Sequence, residues 1–114
     1  MADCWIALTT LSSREQAEQL AEALVAERLA ACVNVLGPVA SIYRWEGKVA
    51  RDEEVLLLIK TTGAGVAPLR TRVLELHPYD TPEFLAFAVG AGSAGYLDWV
   101  AGSVASARPD EAEP

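Results

Sequence analysis

Sulfur, imidazole and positive charge are all scarce in this chain. Its 114 residues include 2 cysteines, 1 methionine and 1 histidine, and 9 Lys and Arg stand against 16 Asp and Glu, for a formal net charge of −7. Two cysteines without CxxC spacing make neither a disulfide framework nor a thiolate metal centre. Cys4 and Cys32 fall in apolar runs and read as small core residues. A nucleic-acid binder replaces counterions with clustered Lys and Arg, so the excess of acids excludes that class of partner. No apolar run approaches the roughly 18 residues that cross a bilayer, and no membrane partner is expected. Asp3 stands where a secretory leader carries basic residues, with Ser12, Ser13, Arg14 and Glu15 soon after, so the expected location is cytoplasmic. Aromatic residues are few, at 7%, yet hydrophobic residues reach 52%. That content excludes intrinsic disorder for most of the chain and suits one compact domain.

The pattern along the chain predicts alternating strands and helices. Residues 4–10 form a short apolar, Thr-rich run that suits a strand. Ser12 and Ser13, each followed three residues on by Glu15 or Gln16, fit a capping box. Ala17, Leu20, Ala21, Leu24 and Val25 then recur at helical spacing, predicting a helix to about Ala30. Residues 32–36 read as a strand, broken or bulged at Gly37-Pro38 and resuming over 41–45. Turns are expected at Gly47 and near Asp52, then a strand over Val55–Lys60. Val66, Leu69, Val73 and Leu76 mark a second helix that stops at Pro78. Phe84–Val89 is a further strand, and Leu97, Val100 and Val104 mark a last helix. Residues 1–107 form the domain, and the polar, acidic segment 108–114 reads as a disordered tail.

This order is β-α-β-β-α-β with an additional C-terminal helix, an α+β, ferredoxin-like arrangement around an antiparallel sheet. An antiparallel sheet covered on one face should alternate apolar and polar residues. Val55–Ile59 and Phe84–Val89 are apolar on both faces, and the short last helix is too small to cover the second face. A homo-oligomer follows from that mismatch. Gly90 to Gly95 spell a literal GxGxxG, but the second parallel strand that the dinucleotide fingerprint requires does not follow. RNA-recognition modules share this strand order, but their third strand carries stacking aromatics, and here it reads Glu53 to Lys60 with none. His77 ends the second helix, with Asp80 and Glu83 close by, which suits either a modest divalent-metal site or a helix-end histidine near carbonyl dipoles. Trp45, Glu46, Gly47 and Lys48 form an aromatic, charged hairpin tip that suits a subunit contact or a ligand lip.

Five blocks, in order and correctly spaced, then resemble one family. They are Ala30 to Asn34, Ser41 to Lys48, Glu54 to Thr61, His77 to Glu83, and Tyr96-Leu97-x-Trp99. Together they resemble the CutA divalent-cation tolerance proteins over roughly residues 4–104. The resemblance implies a ferredoxin-like subunit packed as a homotrimer, a role in tolerance to copper or another divalent cation, kinship to PII-type signalling trimers, and no enzymatic activity. The copper site described in a bacterial member uses a cysteine near the end of the first strand and two adjacent histidines before Pro-Tyr. Those positions are Thr9, Leu76 and His77 here, so only His77 is retained as a metal ligand. Trp45, Glu46, Lys60, Tyr79 and Glu83 are expected beside His77 in a cleft between subunits. Aromatic walls with an acid and a base suit a small polar or anionic ligand. A signalling trimer that binds such a ligand is the alternative function. An enzyme using His77 with Glu83 as acid and base is the weakest reading.

Overall fold

The computed structural model describes residues 3–105. They fold as β1 (Trp5–Leu11), α1 (Arg14–Ala26), β2 (Cys32–Trp45), β3 (Lys48–Thr61), α2 (Val66–Leu76), β4 (Leu85–Ala88) and α3 (Ala94–Ser103). The four strands form one antiparallel sheet in the order β2-β3-β1-β4, which is the expected α+β, ferredoxin-like topology with its C-terminal helix. The acidic segment 108–114 lies outside the described residues, as do 106 and 107 at the end of the expected domain.

The pairing of β1 with β3 sets Ala7, Thr9 and Leu11 opposite Ile59, Leu57 and Val55. All six side chains point to one face and are buried there. Alternate residues of a strand point to opposite faces, so this face is the one the helices cover. Ala17, Leu20, Ala21 and Leu24 of α1 and Leu69 and Val73 of α2 complete the core. Ser13 caps α1, its hydroxyl accepting the Gln16 N–H at 3.1 Å, while the Ser12 hydroxyl donates to the Gln16 side chain at 2.9 Å. The expected capping residue is therefore the second of the two serines.

Helix α1 ends at Ala26, four residues before the expected stop at Ala30. Arg28 adopts a left-handed conformation, φ 62°, and the chain turns out of the helix there. Its guanidinium donates to the carbonyls of Gly102 (3.2 Å) and Ser103 (3.4 Å), at the C-terminus of α3. The Ala105 N–H donates back to the Arg28 carbonyl at 2.8 Å. A cation at a helix C-terminus meets both unpaired carbonyls and the negative end of the dipole. Helix α3 is thereby fixed across one end of the second sheet face, where Leu97, Val100 and Val104 bury Cys4 and Ala31. The rest of that face is open. Ile6, Leu8, Leu36, Leu56, Leu58, Leu85 and Phe87 lie on it by register, and Leu85 is 59% exposed.

Strands β2 and β3 are longer than expected. Gly37-Pro38 does not end β2; it forms a bulge between Leu36 and Val39, beyond which the pairing resumes. A Cβ at Gly37 would lie 3.1 Å from the Cα of Val55, so the close approach of β3 favours glycine there. Asp52, expected near a turn, sits mid-strand opposite Ser41. Its carboxylate accepts the hydroxyl of Tyr43, which ties it into the ribbon. Beyond Val55 the two strands lose β1 as a neighbour and project as a two-stranded arm. The radius of gyration is accordingly 15.1 Å, against about 13 Å for a compact chain of this length. The arm closes on Glu46 and Gly47, both at positive φ (51° and 79°), between the paired Trp45 and Lys48. That is a two-residue turn of the primed kind, whose twist matches the strands. Gly47→Val should lower the unfolding free energy by about 1–2 kcal/mol in urea melts at fixed protein concentration. Gly47→Asn should cost much less, and equal losses would show that the left-handed conformation is not what the turn requires.

Candidate functional site

Three segments meet at the foot of the arm: the end of β1, the inner face of the arm, and the loop after α2. His77 anchors the loop. The ring is 8% exposed, and its Nε2 lies 2.8 Å from the Thr10 carbonyl oxygen. A carbonyl can only accept, so Nε2 carries the proton and donates. Nδ1 then accepts the backbone N–H of Tyr79 at 3.2 Å. The rings of His77 and Tyr79 meet edge to face, with centroids 4.7 Å apart. Tyr79 is thereby aimed at the arm, and its hydroxyl donates to Glu54 at 2.8 Å. Burial, then the hydrogen bond and negative charge of Glu54, push the Tyr79 phenol up from 10.0 to about 12. Tyr43 makes the same kind of bond to Asp52 one rung further out, and that bond raises the Tyr43 phenol as well.

Between the arm and the loop lies a cleft of 860 Å³. Tyr43 and Trp45 of the arm and Tyr79 of the loop give it aromatic walls. Asp52, Glu53 and Glu54 from β3 and Asp80 and Glu83 from the loop give it carboxylates, while Thr10, Ser12, Ser41 and Thr81 contribute hydroxyls. No Lys, Arg or His lines it among the described residues. Within one chain the structure brings Trp45, Tyr79 and Glu83 to this cleft, and not the other residues expected in a cleft between subunits. Glu46 sits in the turn, outside the lining. Lys60 lies six residues along β3 from Glu54, about 20 Å away at strand rise, with its ammonium 5.5 Å from the centre of the Tyr96 ring. The expected pairing of an acid with a base in the cleft therefore does not form within the chain, and the cleft is acidic. His77 supports Tyr79 without reaching the cleft. It also does not meet Glu83 in any hydrogen bond, so the acid–base pair of the enzyme reading is not assembled.

Sequence reasoning missed Tyr43, Asp52, Glu54 and Thr10. A signal was present for two of them. Asp52 and Glu54 are two apart on a strand, so they share a face, but the expected turn near Asp52 hid that spacing.

These residues do not make a copper site. Both nitrogens of His77 are already engaged, Leu76 supplies no donor, and the buried hydroxyl of Thr9 has no hydrogen-bond partner among the described residues. Burial pushes the Cys4 thiol up, which favours its protonated form over the thiolate that a metal needs. Among the described residues no three His, Cys, Asp or Glu side chains are placed to hold a metal ion. This donor set does not fit copper.

The family model of the CutA1 divalent ion tolerance proteins matches residues 5–103. The chain belongs to that family. It is 50% identical over 95 residues to the divalent-cation tolerance protein CutA of Thermus thermophilus, covering 83% of this chain and 92% of that one. A solved structure of a Cut A1 protein from the same organism superposes with a TM-score of 0.87 at 46% identity, covering 90% of this chain and 99% of the other. A structure described as the apo form of a PII-like protein CutA from a Nostoc species gives 0.83 at 42% identity, covering 90% and 98%. The chloroplastic CutA protein of Arabidopsis thaliana is 43% identical over 98 residues, 86% of this chain, but those residues span only 54% of the plant protein. The family and this relative are named for divalent-ion tolerance and not for a reaction, in agreement with the non-enzymatic reading. No helix among the described residues is long and apolar enough to cross a membrane.

A pH dependence follows from Tyr79. The folded state holds its phenolic proton more tightly than an unfolded chain, whose tyrosine titrates near 10.0. The stabilisation is fully present below that pH and is lost as pH rises towards about 12. Urea melts between neutral and strongly basic pH should show this loss, and Tyr79→Phe should make it shallower. Tyr43, shifted in the same direction, keeps part of the slope. An unchanged slope in Tyr79→Phe would contradict the assignment.

Proposed function

We propose that the chain serves divalent-ion tolerance as a homotrimeric binding protein, and that it gathers cations loosely through the negative charge of the acidic aromatic cleft rather than coordinating one at the imidazole of His77. The lining of the cleft carries this reading: five carboxylates and three aromatic rings around 860 Å³, with no base among the described residues. Carboxylate oxygens are hard donors and suit ions that keep part of their water shell better than they suit Cu(I). A copper ion at His77 would have to displace the Thr10 carbonyl or the Tyr79 amide. A small anionic ligand would meet like charge on both sides of the cleft. The PII-like alternative keeps one supporting observation, the likeness to the Nostoc PII-like CutA structure, and a cleft of this size accommodates an organic ligand. A cytoplasmic location stays part of this reading, although the Arabidopsis relative is named chloroplastic.

The trimer is supported by the open apolar face of the sheet and by the arm, where Ile42 is 64% and Val49 73% exposed. An apolar surface of this kind is uncommon on a monomer, and an isolated two-stranded ribbon is marginally stable in water. Light scattering at micromolar concentration should give the mass of three chains. Leu85→Glu adds a charge to the open face at a site already exposed, so each subunit should keep its helix content while the assembly dissociates. A parent protein that runs as a folded monomer would sink the trimer.

Calorimetric titration with Zn(II) and Cu(II) at moderate salt tests the cation site. The heat should persist in His77→Ala and fall severalfold or more in the double variant Glu54→Gln, Glu83→Gln. Loss of the heat in His77→Ala, in a variant that still melts cooperatively, would return the site to the imidazole.

A further inference from the structure

We infer that the outward face of the arm docks against the acidic loop of the next copy in the trimer, so that Arg44 and Arg51 of one subunit pair with Asp80 and Glu83 of its neighbour. The inference rests on the trimeric reading above and names the surfaces that meet.

The arm has two unlike faces. Alternate residues of a strand point to opposite sides, so the register of β2 on β3 sorts its side chains into two sets. Tyr43, Trp45, Asp52 and Glu54 share the side that looks into the cleft. Ile42, Arg44, Val49 and Arg51 share the other. There each apolar side chain stands across the ribbon from a guanidinium, Ile42 opposite Arg51 and Val49 opposite Arg44. Ile42 and Glu53 also border the cleft at the edge of the arm. Ile42 and Val49 are the two most exposed large hydrophobic side chains among the described residues. Neither Arg44 nor Arg51 forms an ion pair with any described residue. Exposed apolar surface rimmed by charge marks a contact surface, and a two-stranded ribbon gains stability when such a face is covered.

The receiving surface carries the opposite charge. Asp52 and Glu54 each already accept a phenol. Asp80 and Glu83 are exposed and enter no ion pair with any described residue, so the loop keeps two acids free for a cation from outside the chain. The loop leads into β4, one edge of the sheet, and Leu85 at its start lies on the open apolar face. The free acids therefore border the surface that the trimer buries. Strand β2 is the other edge, and its outer half belongs to the arm. Unlike surfaces at the two edges of one sheet suit a head-to-tail contact, and such contacts close into rings. Two outward arm faces set against each other would bring guanidinium to guanidinium, which like charge opposes. A guanidinium fork can hold a carboxylate through two parallel hydrogen bonds, a geometry suited to an interface. Two arginines against the five carboxylates of the cleft leave an excess of negative charge, so the loose gathering of cations is kept.

Light scattering of the full chain against concentration tests the contact, in enough urea to bring dissociation of the parent into the micromolar range. Arg44→Glu with Arg51→Glu should raise the concentration of half-dissociation about tenfold or more, and Asp80→Lys with Glu83→Lys should do the same. The chain carrying all four reversals should return to within about threefold of the parent. Unchanged assembly in either double variant, or no recovery in the fourfold variant, would overturn the contact. Where a reversal variant fails to melt cooperatively, Arg44→Gln with Arg51→Gln takes its place. Its assembly should weaken and lose part of its dependence on salt, and an unchanged salt dependence would overturn the contact equally. A parent that scatters as a folded monomer removes the trimer itself, whereas a trimeric parent indifferent to these charges removes only this contact.

Discussion

The antiparallel pairing of β2 with β3, fourteen residues on each side, carries most of what is distinctive in this molecule. The inner half of the pair belongs to the sheet and presents Val55, Leu57 and Ile59 to the helical core. The outer half has no third strand beside it and no helix over it. A ribbon of that kind persists only through its cross-strand side-chain pairs, its turn and whatever it packs against. The bulge at Gly37-Pro38 lets the strand cross from one regime to the other, and the primed turn at Glu46-Gly47 closes it with the correct twist. Shortening the pair to the length of β1 would leave a small sandwich of sheet and helices with no arm and no cleft.

Opposite the arm, His77 converts a helix end into a support. Its two nitrogens link the β1 backbone to the loop backbone, and the loop then presents Tyr79 to Glu54. Hydrogen bonds to an ionised acceptor are shorter and stronger than neutral ones, so the Tyr79–Glu54 contact is a firm link between loop and arm. An imidazole used in this way serves shape, and the acids beside it serve charge. The same short segment, His77 to Glu83, therefore contributes a buried brace at one end and carboxylates at the other.

The fold was largely legible because its signals are periodic. Helical spacing in 17–25 and 66–76, and two-sided apolar character in Val55–Ile59, suffice to locate the helices and the open sheet face. The C-terminal limit of α1 was not legible, because a left-handed arginine replaces the usual glycine and its stabilising contacts lie in α3, more than seventy residues on. The arm was read as two pieces because Gly37-Pro38 and Asp52 are strong local turn signals that the long pairing overrides. Half of the site followed from the same limits. Trp45, Tyr79 and Glu83 could be grouped by motif, whereas Tyr43, Asp52 and Glu54 come together only through the register of β2 on β3. Within one chain Lys60 stands well apart from the cleft, because residues of one sequence motif can lie far along the same strand from each other.

The contact of Arg28 with the end of α3 spans 74 and 75 residues of chain. Closing so long a loop costs entropy that only the finished fold repays, so this contact belongs to the last steps of assembly. In the native state α3 is held by this contact together with Leu97, Val100 and Val104, which pack on Cys4 and Ala31. Cys4 lies directly beneath. Cys4 is shielded only while α3 is docked, so reactivity of its thiol would report directly on whether that helix is in place.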